Sequence, residues 1–319
     1  MDSSELQKLA EHSRSMREAG FALLFASGTL ALFLFIQLEG RTSNASSESL
    51  TSIVATTTTP NAFASISIDA NAAIVYDLVT NETLYAKNAD AQLPLASLTK
   101  LLTIHAALAE LSPTTPIDIP PDATNLDGPR VFSVGQTFAL ADLARLTLTA
   151  SLNDGAAAIA IATASRQNLS QNDMLAGAAA ALNLSQTYAI NGSGLDVNTA
   201  VSGGYGSARD IAILAGALVS EAPAIAAATT ESSAEATSLG GTRFSVNNTD
   251  PFVGTISGLL LSKTGYTDLA GGNLALVFDA GINHPIAVII LGSSRNARFT
   301  DGTTLVAAAF AHFAGVSSL

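Results

Sequence analysis

LLLSKTGYTDLAGGNLALVFDAGINHPIAVIIL, residues 259–291, contains three apolar segments that are separated by turn residues. The segments Leu259–Lys263, Asn273–Phe278 and Ile286–Leu291 have the length and composition of β-strands, and glycine-rich or polar residues lie between them. Consecutive strands with short connections pair as an antiparallel sheet. The stretch therefore predicts one side of a sheet.

Two more strands are predicted near the start of the folded part of the chain. Ala73–Val79 and Thr83–Ala86 flank Thr80-Asn81-Glu82, a pattern typical of a hairpin. Between this hairpin and the C-terminal strands, apolar residues recur at helical spacing. The predicted helices are Leu98–Glu110, Ala139–Ala150, Asp154–Ala164, Asn172–Leu182 and Ser207–Val219.

A last amphipathic helix is predicted at the end of the chain, because Leu305, Ala309 and Phe313 share one helical face. Thr300 or Asp301 is its predicted N-cap. Strands at both ends with helices between them predict an α+β fold. We expect an antiparallel sheet of about five strands from the two ends of the folded domain, flanked by helices, with an inserted all-helical lobe.

The composition describes an acidic protein with few charges. The chain has 319 residues, of which 13% are charged, and its formal net charge is −12. Nucleic-acid binding requires a basic face, so it is not expected. Cysteine is absent, which excludes disulfides and thiolate metal sites.

The N-terminal region predicts a membrane anchor. Ala19–Leu38 is uncharged, and as a helix it would span roughly 30 Å, the thickness of the hydrocarbon core of a bilayer. Three basic residues precede this segment and Arg41 follows it, which favours a cytoplasmic N-terminus.

The predicted organisation is therefore a cytoplasmic tail (1–18), a transmembrane helix (19–38), a flexible linker rich in Ser and Thr (39–64) and one catalytic domain (65–319). The catalytic domain would lie on the extracytoplasmic side of a bacterial cell membrane. The alternative is a cleaved signal peptide with Ser43-Asn44-Ala45 as the cleavage site, which would make the protein secreted.

Two of the four lysines in the chain lie in short motifs whose side chains could take part in catalysis. Ser97-Leu98-Thr99-Lys100 begins a predicted helix, and residues three apart on a helix are neighbours, so Lys100 can reach the Ser97 hydroxyl. A serine hydroxyl needs a base, and lysine serves as one when burial or a second cation lowers its pKa. Lys263 is the candidate for that cation.

The other two motifs complete a set found in serine enzymes that act on β-lactams and on the cell-wall peptide that β-lactams mimic. Ser151-Leu152-Asn153 follows a helix. Its functional interpretation makes Ser151 a proton relay beside Lys100 and Asn153 a ligand for substrate backbone. Lys263-Thr264-Gly265 lies on a predicted strand, where Lys263 and Thr264 would face a carboxylate and Gly265 would allow close approach of substrate.

The sequence gives little support to other catalytic mechanisms. The four histidines, at positions 12, 105, 284 and 312, form no zinc motif, and a Gly-x-Ser-x-Gly elbow and a Walker loop are both absent from the sequence. We therefore expect an enzyme that uses neither a metal nor another cofactor.

From Ala72 to Phe313 the chain resembles the serine-type D-alanyl-D-alanine carboxypeptidases, which are low-molecular-mass penicillin-binding proteins with a β-lactamase-like fold. The resemblance is carried by four segments: Pro94–Thr103 around the nucleophile, Leu148–Asp154, the turn Asn191-Gly192-Ser193-Gly194-Leu195-Asp196, and Lys263–Thr267 followed by Ala270-Gly271.

The resemblance implies a reaction and assigns roles. Ser97 would be acylated by a peptidoglycan stem peptide, releasing its terminal D-alanine, with Lys100 as proton acceptor and Ser151 returning a proton to the leaving amine. Asn153, Lys263, Thr264, Gly265 and Tyr266 would bind substrate, with the backbone N–H groups of Ser97 and Tyr266 as the oxyanion hole. β-Lactams would be covalent inhibitors.

Three alternatives remain open at this stage. A D,D-endopeptidase acting on crosslinks would use the same site, and the sequence does not separate it from a carboxypeptidase. A class A β-lactamase would need a glutamate followed four residues later by asparagine, and no glutamate between Ser151 and Lys263 has one. A catalytically silent wall-binding protein would have lost a motif residue, and none is lost.

Overall fold

A five-stranded antiparallel sheet lies at the centre of residues 61–315, the part of the chain that the computed structural model describes. The strands come from the two ends of this part, which confirms the predicted sheet. They pair in the order β10 (Leu259–Thr267), β11 (Gly271–Asp279), β12 (Pro285–Ser293), β1 (Ala72–Asp77) and β2 (Thr83–Lys87).

Eight helices belong to the described residues, seven of them in an insert between β2 and β10. The five helices predicted for the insert are present, and each begins within one residue of its predicted start. The helices are α1 (Thr99–Glu110), α2 (Pro121–Thr124), α3 (Leu140–Ala150), α4 (Asn153–Gln167), α5 (Gln171–Ala181), α6 (Ala208–Glu221), α7 (Pro223–Ala228) and, after β12, α8 (Ala297–Phe313).

Side chains of the central strands alternate between two apolar cores. On β11, Leu274, Leu276 and Phe278 enter one core, while Ala275 and Val277 enter the other. The first core is closed by α8, and the second is shared with the helices of the insert. Burial on both faces explains why these strands are nearly continuous apolar runs in the sequence.

The prediction of an all-helical insert was wrong, because the insert also carries three small sheets. Their strands have two to five residues, which is too short for a clear period of two, and β8 consists of small and polar residues without a large apolar side chain. The sheets are β3 (Leu93–Pro94) with β7 (Gly204–Gly206) and β6 (Tyr188–Ala189), β4 (Pro116–Asp118) with β5 (Thr137–Ala139), and β8 (Ser233–Thr237) with β9 (Arg243–Asn247).

The last helix begins earlier than predicted, and neither predicted residue caps it. Asn296 is at the N-cap position of α8, so Thr300 and Asp301 lie within the helix. Asp301 is buried instead, where it accepts hydrogen bonds from the backbone N–H groups of Asp69 and Ala70. A buried aspartate near a helix start has the same sequence pattern as a cap.

The folded domain begins before the predicted boundary at residue 65. Ala62 is fully buried and Phe63 is 8% exposed, and both belong to the core beneath α8. The predicted tail (1–18), the anchor Ala19–Leu38 and the linker up to residue 60 lie outside the described residues. Among the helices of residues 61–315, none is both long enough and apolar enough to cross a bilayer.

Candidate active site

Ser97 lies in a tight turn at the start of α1, as its motif predicted. The turn Ala96–Leu98 is a 3₁₀ helix that leads directly into α1, and Ala96 has a positive φ of 48°. Such a backbone conformation is unfavourable for a residue with a side chain and persists where neighbours fix it. The neighbours here are two glycines that approach within contact distance, Gly194 and Gly265.

Lys100 is fully buried beneath Ser97 and contacts it. Its Nζ lies 2.7 Å from Ser97 Oγ, 2.8 Å from Asn153 Oδ1 and 2.8 Å from the carbonyl oxygen of Ser193. Burial lowers the pKa of Lys100 to about 7, while the negative charge of Asp154 acts in the opposite direction. Near neutral pH, Lys100 can therefore accept a proton from the Ser97 hydroxyl.

Ser151 and Asn153 lie at the junction between α3 and α4, and the hydrogen bonds of Ser151 differ from the prediction, which placed its hydroxyl beside Lys100. Ser151 adopts a left-handed conformation, and its Oγ accepts a hydrogen bond from Lys263 Nζ at 3.0 Å. Asn153, rather than Ser151, contacts Lys100, and its Nδ2 donates to the carbonyl oxygen of Asp127. The Asn153 side chain is thus occupied by the protein, and the relay serine is paired with the second lysine.

Lys263 is fully buried, and its ammonium faces inward. Besides Ser151, its Nζ bonds to the carbonyl oxygen of Thr264 at 2.7 Å. Burial holds the pKa of Lys263 well below its usual range, and the charges of Lys100 and Arg298 lower it further. The structure therefore brings the two motif lysines to one place, each bonded to a serine hydroxyl.

A cavity of about 340 Å³ opens over these groups. Within residues 61–315, β10 is an edge strand of the sheet, so its free edge forms one wall of the cavity. Six of the eight predicted site residues line the cavity, and the two lysines lie beneath it. The lining residues from the prediction are Ser97, Ser151, Asn153, Thr264, Gly265 and Tyr266.

Gly265 also has a role that the sequence did not predict. A Cβ at this position would lie 3.0 Å from the carbonyl oxygen of Leu95 and 3.3 Å from the nitrogen of Ser97. The absence of a side chain therefore allows β10 to approach the nucleophile turn.

Sequence reasoning missed two arginines at the start of α8. Arg298 is 7% exposed, lines the cavity and donates from Nη1 to the carbonyl oxygen of Gly265 at 2.6 Å. Within residues 61–315, its buried Nε has no hydrogen-bond partner. The guanidinium of Arg295 lies 4.8 Å from the centre of the Tyr266 ring at the rim of the cavity.

A usable signal for these arginines was present in the sequence. In an antiparallel sheet, β10 and β12 run in the same direction and finish at the same end, so cations that follow β12 are brought close to Lys263-Thr264-Gly265.

The turn Asn191–Asp196 supports the site from the side of the insert. Asn191 Oδ1 accepts hydrogen bonds from the backbone N–H groups of Ser193 and Gly194, which places the Ser193 carbonyl on Lys100. Asp196 accepts from the Thr267 hydroxyl at the end of β10. The turn was identified only through the resemblance, and its contact with Lys100 was not predicted.

Asp154 holds the loop that forms another wall of the cavity. Its carboxylate accepts the backbone N–H groups of Val131, Phe132 and Gly155 at 2.7–2.8 Å. Burial raises the pKa of Asp154, and these hydrogen bonds oppose the rise. Gly128, in the loop that Asp154 holds, lines the cavity.

The site has the parts of a serine acyl-transfer enzyme. A nucleophilic hydroxyl touches a lysine of lowered pKa, and an edge strand suited to pairing with an extended peptide borders the same cavity. Across residues 61–315, no group of three or more His, Cys, Asp or Glu side chains could hold a metal ion.

The chain belongs to the D-alanyl-D-alanine carboxypeptidase family, whose sequence model matches residues 55–294. This confirms the resemblance. No curated protein matches the chain.

Solved structures with the same fold include penicillin-binding proteins and a carboxypeptidase. Penicillin-binding protein D2 from Listeria monocytogenes, solved with ampicillin bound, is 28% identical with a TM-score of 0.64, and the match covers 77% of this chain and 98% of that one. A D-alanyl-D-alanine carboxypeptidase from Francisella tularensis is 21% identical with a TM-score of 0.66, covering 76% and 70%. The DD-transpeptidase of Streptomyces K15 is 23% identical with a TM-score of 0.67, covering 77% and 98%.

Proposed function

We propose that this protein is a D-alanyl-D-alanine carboxypeptidase that removes the terminal D-alanine of peptidoglycan stem peptides through an acyl-enzyme on Ser97. The observation that carries the proposal is the contact of 2.7 Å between Ser97 Oγ and Lys100 Nζ, at the base of a cavity bordered by an edge strand. Family membership supplies the reaction and substrate class.

Acylation uses the two serine–lysine pairs one after the other, first Ser97 with Lys100 and then Ser151 with Lys263. Neutral Lys100 takes the Ser97 proton, and Ser97 Oγ bonds to the carbonyl carbon of the penultimate D-alanine. As the C–N bond breaks, Ser151 gives its proton to the leaving amine and is reprotonated by Lys263, to which it is hydrogen-bonded. Lys100 is then protonated and Lys263 is neutral.

Deacylation restores both lysines. Water attacks the ester carbon, and its proton returns through Ser151 to Lys263, while Lys100 gives its proton to Ser97 Oγ as the C–O bond breaks. The negative charge on the carbonyl oxygen would be held by the backbone N–H groups of Ser97 and Tyr266. The close approach of Gly265 to the nitrogen of Ser97 supports this hole, because it brings the two backbones side by side.

Arg298, rather than Lys263, is the cation that would bind the terminal carboxylate of the substrate. It lines the cavity, whereas Lys263 lies beneath it and is bonded to Ser151 and to the carbonyl oxygen of Thr264. The Thr264 hydroxyl, 2.6 Å from that of Thr249, lies on the same wall. A charged anchor for a free carboxylate favours a carboxypeptidase over an enzyme that cuts internal bonds.

β-Lactams would acylate Ser97 in the same way as the substrate. The family relationship and the ampicillin-bound relative support this part of the proposal. We also propose that Ala19–Leu38 anchors the protein in a bacterial cell membrane, with residues 61–315 on the extracytoplasmic side. The support for the anchor is the uncharged segment itself and the basic residues before it.

The test is release of D-alanine from a stem-peptide mimic, together with labelling by fluorescent penicillin. We expect both activities in the unaltered chain, no labelling of Ser97→Ala, and none of Lys100→Arg, since arginine cannot give up its proton. Lys87→Arg is the matched control, because Lys87 bonds to the carbonyl oxygen of Ile68 away from the site. D-Alanine release by Ser97→Ala would reject the proposal, and rapid penicillin turnover without release would favour a β-lactamase.

A further inference from the structure

Two turn tips at one end of the central sheet carry exposed apolar side chains. Ile282, between β11 and β12, is 98% exposed, and Val79, between β1 and β2, is 53% exposed. Turn tips are normally polar. Phe313, the last residue of α8, is 38% exposed at the same end.

The three side chains belong to one surface. The backbone N–H of Leu78 donates to the carbonyl oxygen of Pro285, which joins the two turns. His284 connects them to the helix, since its Nε2 lies 2.8 Å from Asp77 Oδ2 and its ring lies 4.8 Å from that of Phe313. We call the surface formed by Val79, Ile282 and Phe313 the distal face.

The distal face lies at the opposite end of the sheet from the candidate active site. Lys263 pairs with Ala275 on β11, and β11 continues from there to Asp279 before the turn that carries Ile282. At about 3.4 Å per residue, this part of β11 alone separates the two by roughly 14 Å.

The described chain starts and ends at this face. The ring of Phe63 lies 5.8 Å from that of His312 in the last turn of α8, and α8 ends at Phe313. The segment that precedes residue 61, including the proposed anchor, therefore joins the domain at the distal end.

We propose that the distal face rests on the surface of the lipid bilayer, with Val79, Ile282 and Phe313 against the lipid and the active site turned toward the cell wall. The inference rests on the proposed anchor. Residues 39–60 would keep the domain within about 25 Å of that anchor, so a weak apolar contact suffices.

Charge indicates which lipid is contacted. The segments 78–82, 280–284 and 310–315 contain neither lysine nor arginine. Asp77 and Asp279 are held by His284 and by turn N–H groups, and Glu82 is exposed. A surface without lysine or arginine lacks the side chains that bind anionic headgroups, so the partner is a zwitterionic lipid surface reached through apolar tips.

The experiment uses the absence of tryptophan from the chain. Ile282→Trp gives the full-length protein a single tryptophan on the distal face. Leu239→Trp is the matched control, because Leu239 is also exposed, at 59%, but lies between β8 and β9 in the insert. Both variants are reconstituted into phosphatidylcholine vesicles with and without brominated acyl chains.

We expect brominated lipid to quench the emission of the Ile282→Trp variant and to leave that of the Leu239→Trp variant unchanged. Equal emission loss for the two variants, or none at 282, would overturn the inference. Flotation of the vesicles tests the anchor separately, and a chain that does not float rejects the anchor and the inference together. Release of D-alanine by the same vesicles reports the proposed function independently.

Discussion

Asp154 lies at the start of α4, beside the site, and its charge acts on Lys100. The other charged group near Lys100 is Lys263, whose pKa is lowered by burial and further by the charge of Lys100. If neutral Lys100 is the base, kcat/KM rises with pH through the pKa of Lys100, which is about 7. Asp154 raises that pKa, so removing its charge must move the rise to lower pH.

We therefore predict that Asp154→Asn shifts the acid limb of the kcat/KM profile toward lower pH. It also lowers the maximum rate, because an amide has one oxygen where the carboxylate has two for the N–H groups of the loop at 131–132 and of Gly155. The measurement is D-alanine release across a pH series. Asp142→Asn, which removes a surface pair with Arg145, is the control and should leave the limb in place. A lower rate with an unmoved limb would mean that Asp154 only supports the loop.

Arg298 gives a second prediction at this scale. A hydrogen bond to a charged group contributes about 1.5–3 kcal/mol, so Arg298→Gln should reduce the preference for a free terminal carboxylate over a terminal amide by about 10–100-fold. The two stem-peptide mimics are compared by kcat/KM. Arg145→Gln serves as the surface control. Equal losses for both substrates would show that Arg298 only supports Gly265, to whose carbonyl oxygen it donates.

Among the elements, the contact of β10 with the nucleophile turn sets the geometry. A Cβ at residue 265 would meet Leu95 O, Ser97 N and Ala96 Cβ at 3.0–3.4 Å, so the strand must move by a few tenths of an ångström. We predict that Gly265→Ala lowers the rate of acylation by fluorescent penicillin roughly tenfold, since small displacements at a reacting centre are costly.

The control for this prediction is Gly254→Ala, where a Cβ would meet no atom of the described structure within 4 Å. Its acylation rate should equal that of the unaltered protein. If Gly265→Ala acylates normally, the approach of β10 to Ser97 does not limit the reaction.

Element periodicity explains which parts of the fold could be predicted. Long strands such as β12 and helices such as α1 repeat their apolar residues over enough positions to be recognised, and Ser97-x-x-Lys100 follows from helix spacing alone. The pairing of Ser151 with Lys263 was not predictable, because it depends on the left-handed backbone at Ser151 between two helices. Predicting that Arg298 lines the cavity requires the order of the strands in the sheet, and the spacing of residues in the sequence does not give that order.

At the scale of the whole molecule, the site forms only where the insert meets the sheet. Ser97 and Lys100 begin the insert, Ser151 and Asn153 lie within it, and Lys263 belongs to the sheet. Neither the insert nor the sheet alone holds all of these site residues. Reactivity toward penicillin therefore reports docking of the two parts, whereas stability depends also on contacts far from the cavity.

Asp301 provides such a contact, because it joins three parts of the chain beneath the sheet. Its two carboxylate oxygens accept the N–H groups of Asp69 and Ala70 at 3.0 Å and the Ser293 hydroxyl at 2.7 Å. Removing the acceptor leaves buried donors unpaired, which costs about 2–3 kcal/mol. We predict that Asp301→Ala lowers the midpoint of thermal unfolding by roughly 4–12 °C.

The same variant should still be labelled by penicillin at low temperature, since the residues that contact Asp301 do not line the cavity. Circular dichroism melts and labelling gels on one preparation make both measurements. Thr304→Ala, on the exposed side of α8, controls for the loss of a side chain that bonds only to Thr300 within the helix. An unchanged melting midpoint for Asp301→Ala would show that the N-terminal segment is held by the burial of Ala62 and Phe63 rather than by this carboxylate.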